Sequence, residues 1–538
     1  MFTRTQYKFF MVMAGVFSLI LGAGCSAPAQ PGGITGELEK GPVGRAVVAL
    51  SPQTTGTVDP ALQGGASDFM SLEALYSRLA ETPPDSLVLG PGVASKWTVS
   101  SDGKTVEFEI RKGIRFHNGD ELTPEDVIFS MNRVRRLALP NTTAYFDRLL
   151  ESVEAKGDSV IFKLKEPDWT FINSVSGSAY SIVPKKYIEQ VGDAGFLKKP
   201  VGSGPFKFVS WSKQEFLELE AVDYQHFSQQ PGVKNLRYVN VTEETTRLAM
   251  LKTAEADLAQ ISVTSLKSLA GDSSIRPLKV PNIGGMLLYM FGQGDPSNPL
   301  SKLEVRQALS LAIDREAIAK GIYQGYARPL TVSTWNPDMP NFPGWGKTVI
   351  KQDMDKARQL LAKAGYPDGK GLKITLHNYE YPTLPLWTQV APVIRSQWEK
   401  LGIQVEMRAW EWGSWAPVAR SGKLDPVSVG THLTSFSGEK GWIVSTFLSG
   451  GLYGYASGVS AGAHPQLAEW TTQFDSELDP AKREVLIKKI IEYDRDNTVL
   501  LPVLAQDGLW AAGPRLLEYT PRPGTISSGN TWTIKVKP

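Results

Sequence analysis

The stretch from Ala94 to Val134 reads ASKWTVSSDGKTVEFEIRKGIRFHNGDELTPEDVIFSMNRV. Apolar and polar residues alternate on both sides of the turn Ser101–Lys104, which predicts two antiparallel strands joined by a tight turn. Thr123 then offers an N-cap and Pro124 suits the first helical position, so a helix is expected from there to about Leu137. A hairpin followed directly by a helix indicates a mixed α/β chain.

The rest of the chain also alternates between short apolar strands and amphipathic helices. The chain has 538 residues, several times the usual domain size of about 100 to 200 residues, so two or three domains are expected. This alternation predicts the α/β fold class. The expected strands are Val47–Leu50, Leu372–Leu376 and Ile403–Met407, and the expected helices are Asp68 to Pro83, Ser301–Tyr323, Asp353–Ala364 and Trp387–Leu401.

The first residues differ in character from the rest. Arg4 and Lys8 precede an uncharged apolar run, Phe9–Leu21, that is followed by small residues. This run is shorter than the roughly 20 residues that a membrane-spanning helix needs, and its plan is that of a secretory signal. We therefore interpret residues 1–24 as a signal peptide.

Cys25 is the only cysteine and stands directly after this run. The string Leu21–Cys25 resembles a bacterial lipobox, although Gly22 takes the place of the usual large aliphatic residue. The resemblance implies a lipidated cysteine at the start of a flexible tether, residues 25–44. A plain signal peptide with a chance cysteine is the alternative. With no second cysteine, no internal disulfide is expected.

Composition narrows the range of partners. Apolar residues make up 42% of the chain and charged residues 21%, which is typical of a folded globular protein. Removing residues 1–24 deletes two basic residues and brings the formal net charge from +2 to 0. A nucleic-acid partner would favour a clearly basic face, so none is expected.

The stretch quoted first resembles the signature region of the peptide/nickel type, family 5, of solute-binding proteins of ABC importers. The resemblance implies a bilobal, class II periplasmic-binding-protein-like fold with an additional inserted subdomain, in which the lobes close about a hinge around the ligand. Further similar strings, in the family's order, are VGSGPFKF at Val201–Phe208, EVRQALSLAIDREAIAKGIYQGYARP at Glu304–Pro329, KARQLLAKAGYPDGKG at Lys356–Gly371 and EKLGIQVEMRAWEW at Glu399–Trp412.

The same resemblance implies a division of the chain and a set of partners. A discontinuous first lobe would comprise residues 45–65, 200–285 and 500–538, with an inserted subdomain at 66–199 and a second lobe at 286–499. The expected partners are a small-molecule or peptide ligand and the permease and ATPase subunits of an ABC importer. The protein is expected to be a monomer in the periplasm or another extracytoplasmic compartment, held to the membrane by its lipid.

Aromatic residues are dense between residues 379 and 455, and stiff rings with a polar edge line ligand clefts well. Trp412 lies within a Glu-Trp element, Glu411–Trp412, whose tryptophan faces the ligand in the peptide-binding relatives that this chain resembles. Trp415 and Arg420 are further ligand-binding candidates. Core packing is the alternative for the rings, and ordinary surface exposure for Arg420.

The segment Val429–Trp442 reads VGTHLTSFSGEKGW and contains one acidic residue, Glu439. Peptide binders of the similar family carry an aspartate here for the ligand's α-ammonium, and a buried ammonium without a carboxylate is costly. His432 and Thr434 suggest neutral hydrogen bonding to ligand instead, unless they simply finish a strand and loop. N-blocked or modified peptides and oligosaccharides are thus expected ahead of free peptides and nickel complexes.

Other functions find less support in the sequence. The chain contains no His-Glu-x-x-His motif and no phosphate-loop motif, so we expect no enzyme. A glycoside hydrolase stays an alternative, because the distance between its two catalytic carboxylates depends on the tertiary structure and cannot be read from the sequence. A lipid-anchored receptor or chaperone is a further alternative that fits the same anchor. Five scattered histidines without zinc spacing predict no metal site and no cofactor.

Overall fold

A computed structural model defines the fold for most of the body of the chain. The expected signal peptide, Cys25 and most of the tether lie outside the described residues. The structure describes residues 42, 44–51, 56–63, 69–84, 86, 88–137, 146–333, 348–380, 386–421, 424, 427–434, 443, 446–447, 458–459, 462–522 and 529–537.

The strands are numbered in chain order. They are β1 (Arg45–Leu50), β2 (Ala80–Glu81), β3 (Gly90–Pro91), β4 (Ala94–Val99), β5 (Thr105–Ile110), β6 (Leu150–Lys156), β7 (Ser159–Leu164), β8 (Phe206–Ser212), β9 (Phe216–Ala221), β10 (Asn235–Asn240), β11 (Leu258–Ile261), β12 (Arg276–Met290), β13 (Ala327–Pro329), β14 (Lys373–Glu380), β15 (Gln404–Glu411), β16 (Ser428–Thr434), β17 (Leu500–Ala512), β18 (Leu516–Glu518) and β19 (Lys535–Val536).

The helices are numbered in the same way. Those that lie wholly within the described part of the chain are α1 (Phe69–Leu75), α2 (Pro124–Leu137), α3 (Phe171–Val175), α4 (Lys185–Lys198), α5 (Glu244–Lys252), α6 (Leu266–Leu269), α7 (Leu303–Leu311), α8 (Arg315–Gly321), α9 (Met354–Lys363), α10 (Trp387–Glu399), α11 (Trp412–Arg420), α12 (Pro465–Ser476) and α13 (Pro480–Asn497).

One large sheet runs through the body in the order β15-β14-β16-β12-β17-β11-β1-β10-β9-β8, with β13 also paired to β17. Its two central strands, β12 and β17, are antiparallel and unusually long, at 15 and 13 residues. Strands β14 to β16 extend the sheet on one side and β1 with β8 to β11 extend it on the other. The sheet therefore has two halves that share two strands.

The pairing of β12 with β17 changes register where the two halves meet. Val280 pairs with Gly508, but the next pair is Gly284 with Gln506, so three residues of β12 oppose one residue of β17. Extra residues of this kind bend and twist a strand. The bulge at residues 281–283 is therefore the natural bending point between the two halves of the sheet.

A separate four-stranded antiparallel sheet, in the order β4-β5-β7-β6, has its own core. Phe108 and Phe162 lie edge to face with ring centroids 5.6 Å apart, and Phe162 contacts Phe171 in the same way at 5.2 Å. Helix α2 packs on this core through Val127, whose side chain is fully buried. This small sheet is the part of the chain for which an inserted subdomain was expected.

The predictions for the quoted stretch are confirmed. Strands β4 and β5 pair around the expected turn, with Val99 opposite Val106. Helix α2 begins at Pro124, and the carboxylate of Asp126 accepts the backbone N–H of Thr123 at 2.9 Å. The α/β class is confirmed as well, while the exact boundaries of the lobes stay a prediction.

Two predicted helices have the wrong bounds. The helix expected over Ser301–Tyr323 is two helices, because Asp314 caps the start of α8 by accepting the N–H of Ala317 at 2.9 Å. The helix expected to run to Pro83 ends at Leu75. There the carbonyl of Leu75 accepts the N–H of Gly204 at 2.9 Å, a tertiary bond that the local pattern does not reveal.

The same contact explains the glycines of VGSGPF. A Cβ atom on Gly202 would stand 2.0 Å from the carbonyl oxygen of Leu75, and one on Gly204 would stand 2.5 Å from the carbonyl carbon of Leu75. Only glycine permits backbones to approach so closely. This motif therefore joins the large sheet to helix α1.

Candidate functional site

Three parallel strands end at one edge of the large sheet. Strand β14 pairs in parallel with β15 and with β16, and their last residues are Glu380, Glu411 and Thr434. Strand β12 is antiparallel to β16, so Gly285 lies opposite Thr434 at the same edge. Open α/β sheets bind ligands outside the carboxyl ends of their strands. We call this place, beside the bulge of β12, the carboxyl-end edge.

An aromatic cluster supports the carboxyl-end edge. Trp415, on helix α11, is 1% exposed, and its ring centroid lies 5.2 Å from that of His377 and 6.1 Å from that of Tyr379. Trp410 lies 5.9 Å away and Phe291 meets the ring edge-on at 6.2 Å. Packing against four rings fixes the position of α11 beside the ends of β14 and β15.

Gly430 of β16 makes room for this cluster. A Cβ atom at Gly430 would lie 2.6 Å from both the Cη2 and Cζ2 atoms of Trp415 and 3.2 Å from Phe291. The indole therefore lies flush against the backbone of β16. No local pattern predicts this requirement, because Gly430 is 15 residues from Trp415 in the chain.

His377 is part of the same cluster, and its Nδ1 atom is a hydrogen-bond acceptor there. The indole N–H of Trp410 donates to Nδ1 of His377 at 2.9 Å, and His377 is 1% exposed. Because Nδ1 accepts this bond, it has no lone pair left for a metal ion. The contact instead holds β14 and β15 in register at the level of the cluster.

Two other histidines are held neutral by backbone contacts with the VGSGPF loop. Nδ1 of His117 accepts the N–H of Gly202 at 3.2 Å, and its Nε2 donates to the carbonyl of Gly204 at 3.0 Å. Nε2 of His226 donates to the carbonyl of Ser203 at 2.9 Å. Burial lowers the pKa of both rings to about 4. Their nitrogens are therefore used in structure and not offered to a ligand.

Within the described residues, no three histidine, cysteine, aspartate or glutamate side chains lie close enough to hold a metal ion. The expectation of no metal and no cofactor stays a prediction. Among the helices of this part of the chain, none combines the length and the apolar character that a bilayer crossing requires.

The sequence candidates fall into two groups. Trp412 and Arg420 are the first and last residues of α11, and His432 and Thr434 lie on β16 opposite Leu287 and Gly285. The backbones of Trp412, His432 and Thr434 therefore lie near the carboxyl-end edge, and Arg420 lies at the other end of α11. The side chains of all four are outside the described residues. Contact of these four with a ligand stays a prediction.

Trp415 is the one candidate whose side chain is described. Its ring is enclosed by other aromatic residues, as the core-packing alternative expects. A direct ligand contact for Trp415 stays a prediction. Sequence reasoning missed Gly284, Gly285 and Gln506 at the same edge. The only local signal was a pair of glycines inside an apolar strand, a pattern that often marks a bulge.

The large sheet has two halves that share long central strands, and parallel strands end beside the bending point between them. This arrangement is typical of a two-lobed binding protein. The family model described as bacterial extracellular solute-binding proteins, family 5 Middle, matches residues 88–451. The chain belongs to this family. It is accordingly an extracytoplasmic solute-binding protein of an ABC importer and not an enzyme.

Similar proteins cover most of the chain. A dipeptide-binding protein of Escherichia coli is 28% identical over 382 residues, 66% of this chain and 70% of the relative. Heme-binding protein A of Haemophilus influenzae is 28% identical over 496 residues, 85% of this chain and 86% of the relative. The solved structure of HbpA2 from Haemophilus parasuis, 23% identical, superposes with a TM-score of 0.76 over 92% of this chain and 100% of that one.

Proposed function

We propose that this protein is a lipid-anchored solute-binding protein that captures a peptide-like or other small polar solute at the carboxyl-end edge and delivers it to the permease. One observation carries the proposal: three parallel strands end beside the bulge where the shared strands β12 and β17 change register. A ligand bound there contacts both half-sheets, so bending at the bulge closes the protein around it.

The names of relatives support a range of ligands and do not single one out. The two relatives above are called dipeptide-binding and heme-binding, and one scaffold often serves many ligands. The lack of an aspartate in Val429–Trp442 argues against a free peptide N-terminus. We place N-blocked or modified peptides and oligosaccharides first, and free peptides and nickel complexes after them.

The structure adds one consideration to this order. Glu380 of β14 and Glu411 of β15 occupy paired positions at the carboxyl-end edge, so the register places two acidic residues opposite each other there. Glu411 is exposed and β15 is the outermost strand of the sheet. Solvation of Glu411 in that position weakens its attraction for a ligand ammonium, which keeps neutral ligands in first place.

The proposal is tested by native mass spectrometry of the protein extracted in mild detergent from a bacterial host. We expect a bound small molecule that is released by mild denaturation. Thermal unfolding with a panel then assigns its class: Ala-Ala-Ala, N-acetyl-Ala-Ala-Ala, maltotriose, nickel with L-histidine, and heme. Binding at 100 times Kd raises the stability by about 2.7 kcal/mol. An empty protein that none of these stabilises would contradict the proposal.

The lipid anchor has a separate test. We expect the N-terminal peptide of the membrane fraction to begin at Cys25 and to carry acyl chains in its mass spectrum. Cys25→Ala removes the acylated thiol, so the variant should leave the membrane pellet or keep its leader. Wild-type protein found without acyl chains would reject the anchor but leave ligand capture untouched.

A further inference from the structure

Gln506 lies in the middle of β17 and has very small neighbours on both sides. It is paired with Gly284 of β12 on one side and with Ala327 of β13 on the other. Directly opposite residues are side-chain neighbours on one face of a sheet. The long side chain of Gln506 is therefore flanked by a hydrogen atom and a methyl group, neither of which can form a hydrogen bond with it.

The side-chain amide of Gln506 is buried and incompletely satisfied. Gln506 is 4% exposed, and its Nε2 atom has no hydrogen-bond partner among the described residues. A buried amide donor without a partner destabilises a fold by more than a typical hydrogen bond stabilises it. Such groups in a native structure call for an explanation, and a ligand absent from the structure is one.

Position distinguishes Gln506 from two other residues with a buried polar atom that lacks a partner, Ser428 and Thr331. The Oγ atom of Ser428 also lacks one, but Ser428 is the first residue of β16, at the opposite end from Thr434. Thr331 lines a separate cavity of about 20 Å³ with Asp494. Gln506, in contrast, is level with Gly284 and one residue from the pair of Gly285 with Thr434, so it lies at the carboxyl-end edge.

We propose that Gln506 is a ligand-binding residue whose amide N–H donates a hydrogen bond to an acceptor oxygen of the solute from the floor of the site. An amide nitrogen can only donate, so the matching ligand group is a peptide carbonyl, a sugar oxygen or a carboxylate. Because β17 belongs to both half-sheets, this bond acts at the bending point and not on one lobe alone. The inference rests on the function proposed above.

Two substitutions of Gln506 and a matched control test this role. Gln506→Met keeps the length of the side chain and removes the donor, and Gln506→Glu replaces the donor with an acceptor. Ser428→Ala is the control, because it also removes a buried polar atom without a partner, at the far end of the sheet. The probes are the small molecule retained through purification, measured as the bound fraction in native mass spectra, and N-acetyl-Ala-Ala-Ala added to protein stripped by mild denaturation.

For Gln506→Met we expect an unchanged or higher melting temperature without ligand, and about tenfold weaker binding of the retained molecule or of the acetylated peptide. Gln506→Glu should bind more weakly still, and Ser428→Ala should bind as wild type does.

A Gln506→Met protein that melts several degrees lower without ligand would show that the Gln506 amide stabilises the fold, and would overturn the inference. Equal affinity in wild type and Gln506→Met would also overturn it, while leaving the proposed function intact. A wild type that neither retains nor binds any solute would instead reject the proposed function, and the inference with it.

Discussion

Trp169 donates its indole N–H to the carbonyl oxygen of Phe474 at 3.2 Å, and the two rings meet edge to face with centroids 5.5 Å apart. The residues are 305 positions apart in the chain. The guanidinium of Arg483 lies 4.2 Å from the Trp169 ring centroid. Trp169 follows the four-stranded sheet, and Phe474 lies on α12. This contact therefore joins the segment that follows the small sheet to helix α12.

We expect Trp169→Ala to lower the free energy of unfolding by about 2 kcal/mol, because it removes an aromatic contact, a hydrogen bond and a cation–π contact from a partly buried site. Trp169→Phe keeps a ring and should lose about half as much. Urea unfolding of both variants measures the difference. Wild-type stability of the alanine variant would show that the two parts are held together elsewhere.

A second prediction concerns Gly430, whose missing Cβ leaves room for the Trp415 ring. A methyl group 2.6 Å from the ring has to displace it, and overpacking of this kind costs about 1 to 3 kcal/mol. Gly430→Ala should therefore melt at a clearly lower temperature. Gly321→Ala is the matched control, since open space surrounds that position at the end of α8, and it should be neutral or slightly stabilising. Equal melting temperatures for the two variants would reject the tight contact.

A third prediction uses the pH dependence of Asp494. Burial raises the pKa of this carboxyl to about 7, although Ser333 and the backbone N–H of Leu500 both hydrogen-bond it. The ordinary value is near 3.9, so the folded protein binds the proton more tightly than the unfolded chain does. The favourable contribution is complete below about pH 4 and is lost as the pH rises through about 7.

Asp494→Asn imitates the protonated form at every pH, because its amide can donate to Ser333 and accept from Leu500. We expect it to be more stable than wild type at pH 8, by a few kcal/mol at most, and similar at pH 4 to 5. Thermal unfolding at both pH values checks this. A variant less stable than wild type at pH 8 would mean that the buried carboxylate is favoured.

Sequence reasoning predicted the local parts of this fold well. The hairpin β4–β5 and the start of α2 depend on alternation, a turn and a cap, all within about 40 residues. It failed where a contact with a distant part of the backbone decides the structure. Helix α1 ends where the N–H of Gly204 donates to the carbonyl of Leu75, and there is no room for a side chain at Gly204. Local propensity contains no information about such a partner.

The candidate site was predicted only in part, because sequence reasoning again identified its local features and missed those that depend on distant strands. The segment around Trp412 was identified from a local resemblance, and its backbone lies at the end of β15. Gln506 was missed because its significance arises from strands β12 and β13, whose pairing residues are about 180 to 220 positions away in sequence. Only the sheet register brings Gly284 and Ala327 beside it.

A last prediction concerns acid stability, through His117 and His226. Burial lowers the pKa of each ring to about 4, below the ordinary value of about 6.5. The unfolded chain therefore takes up protons first as the pH falls. The stabilisation is complete above about pH 6.5 and is lost progressively as the pH falls to about 4.

His117→Gln keeps a donor and an acceptor without titrating, so it should be less stable than wild type at pH 7 but lose less free energy of unfolding between pH 7 and pH 5. Urea unfolding at these two pH values measures both losses, and an equal loss in wild type and variant would place the acid sensitivity in other groups.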